Sequence, residues 1–134
     1  MKYLIDTNIV IFFFKKKFGL LEKFQKAGES NCFISEITLA ELKFGAENSS
    51  NPEKHKSEID EFVNIISVLP ITPAIDVFAL EKTRLQRSGI PIDNFDLFIA
   101  ATAITNGLKL VTNNTKHFKR FPQLEIEDWT NPEK

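Results

Sequence analysis

Sulfur, imidazole and indole are scarce in this chain. Its 134 residues hold one cysteine, one methionine, one tryptophan, one tyrosine and two histidines. A lone Cys32 excludes an intrachain disulfide and suits a reducing compartment, so a cytoplasmic location is expected. With His55 and His117 as the only imidazoles, a zinc site of nitrogen and sulfur ligands is disfavoured. An excess of charge is missing too. Seventeen Lys and Arg stand against 18 Asp and Glu, a net charge of -1, so the whole molecule does not advertise nucleic-acid binding. Local patches can still do so: Lys15-Lys16-Lys17, or Lys109, Lys116, Lys119 and Arg120. Lysines resting at helix C-termini explain the same residues equally well. Long apolar runs are also lacking. Ile9 to Phe14 is too short to span a bilayer, and Asp6 and Asn8 just before it spoil a signal peptide. No membrane is expected. Repeats and low-complexity segments are absent, which excludes a solenoid.

Apolar side chains are plentiful: 43% of residues are hydrophobic, and 13 are Phe, too many to leave in water. One domain over residues 1–134 is expected. Strands are read at 2–6, Cys32–Ile34, Val68–Ile71 (its Pro70 suggesting an edge or end), Leu108–Thr112 and, as a last short one, Leu124–Ile126. Helices are read at 7–16, Leu20–Ala27, 36–47 with Ser35 as N-cap, 53–66, from Pro73 through Arg87, and 94–106. Residues 114–120 read as a short helix or turn. Strands alternating with helices imply an α/β fold: a three-layer α/β/α sandwich with a central parallel sheet of four to five strands. Ligand sites in such sheets lie beyond the carboxyl ends of the strands, where strand order reverses. Asp6 and Thr112-Asn113 fall at two such ends.

Three acids have apolar frames. Asp6 closes Tyr3-Leu4-Ile5. Glu41 shares a helix face with Ile37 and Phe44, and an inward Glu in mid-helix needs a partner. Asp96 precedes Ile99, Ala100 and Ala103 on one inward stripe. Each also has a plain structural explanation. Asp6 can cap the helix after it, Asp96 can complete a capping arrangement begun by Asp93, and Glu41 can pair with a buried Lys or Arg. Collected in one pocket they need a counter-charge, since two unit charges about 4 Å apart repel by roughly 4 kcal/mol. A hard divalent cation, Mg2+ with Mn2+ as substitute, suits such oxygen ligands. It would polarise a phosphodiester and activate water for in-line attack.

Four blocks carry a resemblance. Leu4-Ile5-Asp6-Thr7-Asn8, Thr38-Leu39-Ala40-Glu41-Leu42 with Gly45, Phe95-Asp96-Leu97-Phe98-Ile99-Ala100-Ala101, and Leu110-Val111-Thr112-Asn113-Asn114-Thr115-Lys116-His117-Phe118, ending near Trp129, resemble a PIN-domain protein. More narrowly the chain is similar to the VapC toxins of toxin–antitoxin pairs, essentially end to end. The resemblance implies a magnesium-dependent endoribonuclease, in several relatives directed at structured RNA such as tRNA. It implies a homodimer and a VapB-type antitoxin that blocks the site, with DNA engaged only through that antitoxin. It makes Asp6, Glu41 and Asp96 the acidic triad and metal ligands, Asp6 and Asp96 foremost.

One departure stands out. Many relatives have a fourth acid in the last block, where this chain has Asn114 and His117. Asn114 can bind water or coordinate through its amide oxygen. His117 can touch a phosphate or be a surface histidine. Loss of that acid weakens the case for a second metal ion. Thr112 can orient Asp6, or be an ordinary strand-end threonine. Amides of Thr7 and Asn8 at a helix start can contact phosphate, and Lys116, Lys43, Arg84 and Arg87 can track an RNA backbone.

Other α/β folds with clustered acids fit less well. A receiver-type phosphate acceptor needs an Asp at the third strand end, which reads Leu69-Pro70-Ile71-Thr72. A haloacid-dehalogenase-like phosphatase needs an Asp where Asn8 stands. The remaining alternative is a catalytically weak PIN-fold binding module, acting through partner and RNA binding.

Overall fold

The computed structural model describes residues 1–131; residues 132–134 of the expected domain lie outside them. In chain order the elements are β1 (Tyr3–Ile5), α1 (Thr7–Phe14), α2 (Leu20–Ala27), β2 (Cys32–Ser35), α3 (Glu36–Glu47), α4 (Pro52–Ile65), β3 (Ser67–Leu69), α5 (Ile75–Arg87), α6 (Asn94–Asn106), β4 (Lys109–Val111), α7 (Thr115–Phe118) and β5 (Ile126–Glu127). The five strands pair in parallel in the order β3-β2-β1-β4-β5. The chain builds outward from β1 to β3, then crosses back to β4, so strand order reverses between β1 and β4. This is the expected α/β/α sandwich, with five strands.

Alternation along the short strands divides the core between two faces. Ile5, Ile34 and Val111 pack with Ile9 and Val10 of α1, Phe24 of α2, Leu42 of α3 and Phe62 of α4. Leu4 and Leu110 pack on the other face with Leu85 of α5, Leu97, Ile99, Ala100 and Ala103 of α6, and Phe118. Small residues at 100 and 103 let α6 lie close on the sheet. Cys32 is a buried free thiol.

Several boundaries differ from the sequence reading, with identifiable causes. The first helix ends at Phe14 rather than residue 16, because Lys16 and Phe18 adopt φ of 58° and 60°. That left-handed backbone cannot continue a right-handed helix. The fourth helix starts one residue earlier, with Asn51 as N-cap and Pro52 in the first turn, where its missing N–H costs nothing. Pro73 sits in a 3-10 turn, Thr72–Ala74, that leads into α5. Strand β3 lies at the sheet edge, consistent with Pro70 following it. The last strand is Ile126–Glu127, later than Leu124–Ile126, because Leu124 turns into the core.

Candidate active site

Parallel register sets the first two site residues. Leu4 lies opposite Leu110 and Ile5 opposite Val111. One residue on, at the carboxyl ends of β1 and β4, Asp6 faces Thr112 on the side covered by α5 and α6. The Asp6 amide extends the pairing, donating to the Val111 carbonyl at 2.9 Å. Thr112 Oγ1 donates to Asp6 Oδ2 at 2.7 Å, and the Thr7 amide donates to Oδ1 at 2.8 Å. Asp6 is only 5% exposed. Burial pushes its carboxyl above the ordinary range, against the two hydrogen bonds and His117, which pull it down.

Glu41 arrives on α3, whose start is fixed by Ser35 Oγ accepting from the Ile37 amide at 3.0 Å. Its inward stripe is Thr38, Leu42 and Ala46. Phe44, expected to share the inward face with Glu41, is 70% exposed, so Glu41 stands at the border of the buried face rather than in its middle. Its partner is not a lysine or arginine. Thr7 Oγ1 donates to Glu41 Oε1 at 2.7 Å and shares a second hydrogen bond with the Thr38 hydroxyl at 3.1 Å. Burial raises the Glu41 pKa, the Thr7 bond opposes this, and the charges of Asp6 and Asp93 raise it further.

Asp96 is in the first turn of α6. Asp93 caps that helix, its Oδ2 accepting from the Asp96 amide at 3.2 Å. Burial, followed by the charges of Asp6, Asp93 and Glu41, pushes the Asp96 pKa up to about 7. His117 Nε2 stands 3.1 Å from Asp96 Oδ2. That nitrogen is buried yet makes no hydrogen bond. Burial and the nearby Arg120 hold the imidazole below its usual pKa, while Asp93 and Asp6 pull the other way.

The fold therefore brings residues 6, 41 and 96 within reach of one another's charges, at the point where strand order reverses. They do not form a closed coordination sphere: among the described residues, no three His, Cys, Asp or Glu side chains stand together closely enough to hold one ion. Thr7 stands between Asp6 and Glu41, its amide bonded to one and its hydroxyl to the other. The donor chemistry still fits a hard or borderline divalent cation: oxygen donors of three carboxylates whose pKa values are raised chiefly by burial, with a buried nitrogen lacking a partner beside one of them.

Other expected site residues fall around this hollow. The Thr7 amide is already committed to Asp6 and its hydroxyl to Glu41, so Thr7 is a brace and not a free phosphate donor. Asn8 is exposed at the start of α1, and Asn114 and Lys116 are exposed around the start of α7. The Asn114 amide donates to Thr112 Oγ1 at 3.0 Å, so its backbone supports the same brace. Arg84 is partly exposed, but its guanidinium is already engaged. It makes a two-point bond to the buried Glu81, at 3.0 and 3.2 Å, and donates to the Arg120 carbonyl at 2.9 Å. Lys109 is paired with Glu127 at 3.3 Å. The sequence reading treated Asp93 only as a cap. Its charge acts on Glu41, Asp96 and His117 together. An acid one helical turn before Asp96 was the available signal.

Comparison with known proteins places the fold in a family. The PIN domain family matches residues 3–124. A tRNA(fMet)-specific endonuclease VapC of Shigella flexneri is 38% identical over 97% of this chain and 99% of its own length. The VapBC2 complex of Rickettsia felis, bound to a DNA fragment from the promoter, contains a chain that superposes with a TM-score of 0.90 at 33% identity, covering 96% of this chain and 99% of that one. The DNA-bound VapBC of Salmonella typhimurium gives a TM-score of 0.90 at 38% identity, covering 96% and 98%.

Proposed function

This chain belongs to the PIN-domain family and to its VapC branch, and we propose that it is the toxin of a toxin–antitoxin pair, acting as a cytoplasmic divalent-cation-dependent endoribonuclease. One observation carries the reading. Asp96 is opposed by the charges of Asp6, Asp93 and Glu41 at the reversal point of a parallel sheet. Like charges gathered with no lysine or arginine paired to them, and only a histidine beside one, are costly unless they serve to bind a cation.

Asp6, Asp96 and Glu41 would have to draw closer together than they stand here to hold the ion, magnesium or manganese. When bound, it supplies Lewis-acid polarisation of the phosphodiester and a lowered pKa for the attacking water. The chain supplies the rest. Thr112 and Thr7 fix both oxygens of Asp6, and Thr7 ties Glu41 to the same point. Asn8, Asn114 and Lys116 lie on the exposed rim, where an RNA backbone would pass, and such contacts make binding salt-sensitive. Structured RNA of the tRNA class is the substrate suggested by the Shigella relative's name.

The partner is a VapB-type antitoxin, as in the complexes this chain resembles. A groove of about 630 Å³ lies between α1, α2 and α4, walled by Phe13, Phe14, Leu20, Leu21, Phe24 and Phe62. It fits the apolar face of an antitoxin helix. DNA contact would run through that antitoxin. Ile75, Leu80 and Phe95 on α5 and α6 are exposed apolar side chains, and the homodimer rests on the resemblance to the VapC family. Among the described residues no helix is long and apolar enough to cross a membrane.

The test is cleavage of a purified tRNA pool with Mg2+ or Mn2+ present. Cutting should vanish on chelation and in Asp6→Asn and Asp96→Asn chains that remain folded. Full cutting by both variants would refute the site.

A further inference from the structure

We propose that His117 is a direct ligand of the cation through Nε2, and that it turns this centre away from magnesium toward first-row transition ions such as manganese. The inference rests on the cation-dependent reading above and adds to it a residue that takes the place of an acid.

The starting point is the nitrogen itself. His117 Nε2 is buried, and no hydrogen bond satisfies it. Buried polar atoms without partners are few in folded proteins, and each needs an account. A salt bridge to Asp96 does not supply one, because the two atoms lie 3.1 Å apart without forming a hydrogen bond. A phosphate contact does not supply one either. An RNA phosphate approaches from solvent, whereas this atom is closed to solvent and directed at a carboxylate.

A shared ion does supply one. Two neighbouring ligands of an octahedral ion, each about 2.1 Å from it, lie about 3.0 Å apart. The separation of His117 Nε2 from Asp96 Oδ2 is 3.1 Å. The pair is spaced as adjacent ligands would be, and the lack of a hydrogen bond between the two atoms distinguishes this from an ordinary paired contact.

Rigidity supports the spacing. Phe118, next to His117, is fully buried and anchors α7 in the core. Just beyond α7, Arg120 Nη1 donates to the Pro91 carbonyl at 3.0 Å, and its own carbonyl accepts from Arg84, which is held by Glu81. The helix carrying His117 is thereby tied to the segment that enters α6 and carries Asp96. Packing, not the pair itself, sets the distance.

The selectivity follows from ligand type. Magnesium takes oxygen ligands and retains water, while imidazole nitrogen favours transition ions. Manganese accepts both donors, so replacing a carboxylate by His117 costs it less than it costs magnesium.

The experiment measures binding of Mn2+ and of Mg2+ alone to the full chain by calorimetry, without RNA. Wild type, His117→Gln, His117→Glu and Asp96→Asn are compared, with folding checked by circular dichroism. His117→Gln should weaken Mn2+ at least tenfold and Mg2+ less than threefold. His117→Glu should strengthen Mg2+ and narrow the difference between the ions. Spin-echo spectra of bound Mn2+ should show nitrogen coupling in wild type and lose it in His117→Gln. Equal weakening of both ions, no weakening, or no nitrogen coupling in wild type would overturn the ligand assignment while leaving the cation-dependent reading intact. If wild type binds neither ion, or Asp96→Asn weakens neither, both fall.

Discussion

Thr112 reaches Asp6 across 106 residues of sequence, its hydroxyl donating at 2.7 Å to a carboxylate that is almost wholly buried. The bond follows from register. Once Ile5 pairs with Val111, the next residues of both strands face each other beyond the sheet. A threonine there closes one Asp6 oxygen while the Thr7 amide closes the other.

Replacing Thr112 by Val keeps the shape and removes the donor. Asp6 Oδ2 then lacks its closest partner in a buried setting, so stability should fall by about 1–3 kcal/mol. Urea unfolding at pH 8 measures this, and Thr112→Ser should recover most of the loss. The Asp6 pKa should rise further, because the Thr112 bond is one of the factors that lowers it. An unchanged unfolding midpoint in the valine variant would show that the bond carries no net stability.

Asp96→Asn should separate function from stability. Wild-type Asp96 is repelled by Asp6, Asp93 and Glu41. Neutralising it relieves that repulsion in the chelated protein, so the melting temperature in EDTA at pH 8 should rise by several degrees. RNA cleavage should drop at least a hundredfold in the same variant. A rise in one measure with a fall in the other is expected of a site whose charges serve a ligand at the expense of the fold. A melting temperature below wild type would argue that Asp96 has an internal stabilising partner.

The pH dependence sums contributions of opposite sign: Asp6, Glu41 and Asp96 are raised, Glu81 and His117 lowered, and Asp96 carries the largest shift. The folded-state pKa of Asp96 is about 7, above its unreacted value of 3.8, so between these limits the folded chain holds the proton more tightly than the unfolded one. Stability of the chelated protein should therefore fall as pH rises through this window. Glu81 behaves oppositely. Its bonds to Arg84 hold its pKa below the ordinary glutamate value of 4.5, so its stabilisation is present above that value and lost as pH falls through the lower folded pKa. Chelated wild type should be more stable at pH 5 than at pH 8, and Asp96→Asn should flatten that slope. Saturating Mn2+ should reverse it, since an ion competes with the protons. Thermal melts across pH 4 to about 9 test all three, within the range where these carboxyls and their neighbours change charge. A wild-type slope of the opposite sign would put Asp96 outside the repulsive cluster.

Much of this architecture was legible because strong local signals and the global fold agree. Ser35 before the α3 run, Asn106-Gly107 after α6, and the apolar runs before Asp6 and Thr112 each indicate both an element and its end. Side-chain direction was less legible. Phe44 lies four residues from Ala40 and three from Glu41, yet it faces solvent, because the apolar positions of α3 are spread around the helix and allow more than one stripe. Arg84 looked like a surface cation until its carboxylate partner, Glu81, proved to be buried beside it. Asp93 performs two tasks at once. A cap and an added site charge require the same residue at the same place, and one dimension cannot tell them apart.

The groove between α1, α2 and α4 gives the last prediction. Leu20 is buried and anchors α2, whereas its neighbour Leu21 is 57% exposed and helps wall the groove. Changing Leu21 to Glu should therefore leave the fold and the acidic hollow intact. Covering a leucine side chain stabilises a complex by about 1.5–3 kcal/mol, and a glutamate in its place must also lose water against an apolar helix. Antitoxin affinity should fall by at least tenfold, as each 1.4 kcal/mol is about a factor of ten. Cleavage by the free toxin should be unchanged, while the concentration of antitoxin needed to silence it rises by the same factor. Calorimetry with a VapB-type antitoxin that silences the wild-type chain, paired with inhibition of tRNA cutting, measures both. Wild-type affinity in the Leu21→Glu chain would move the antitoxin off this groove and onto another surface.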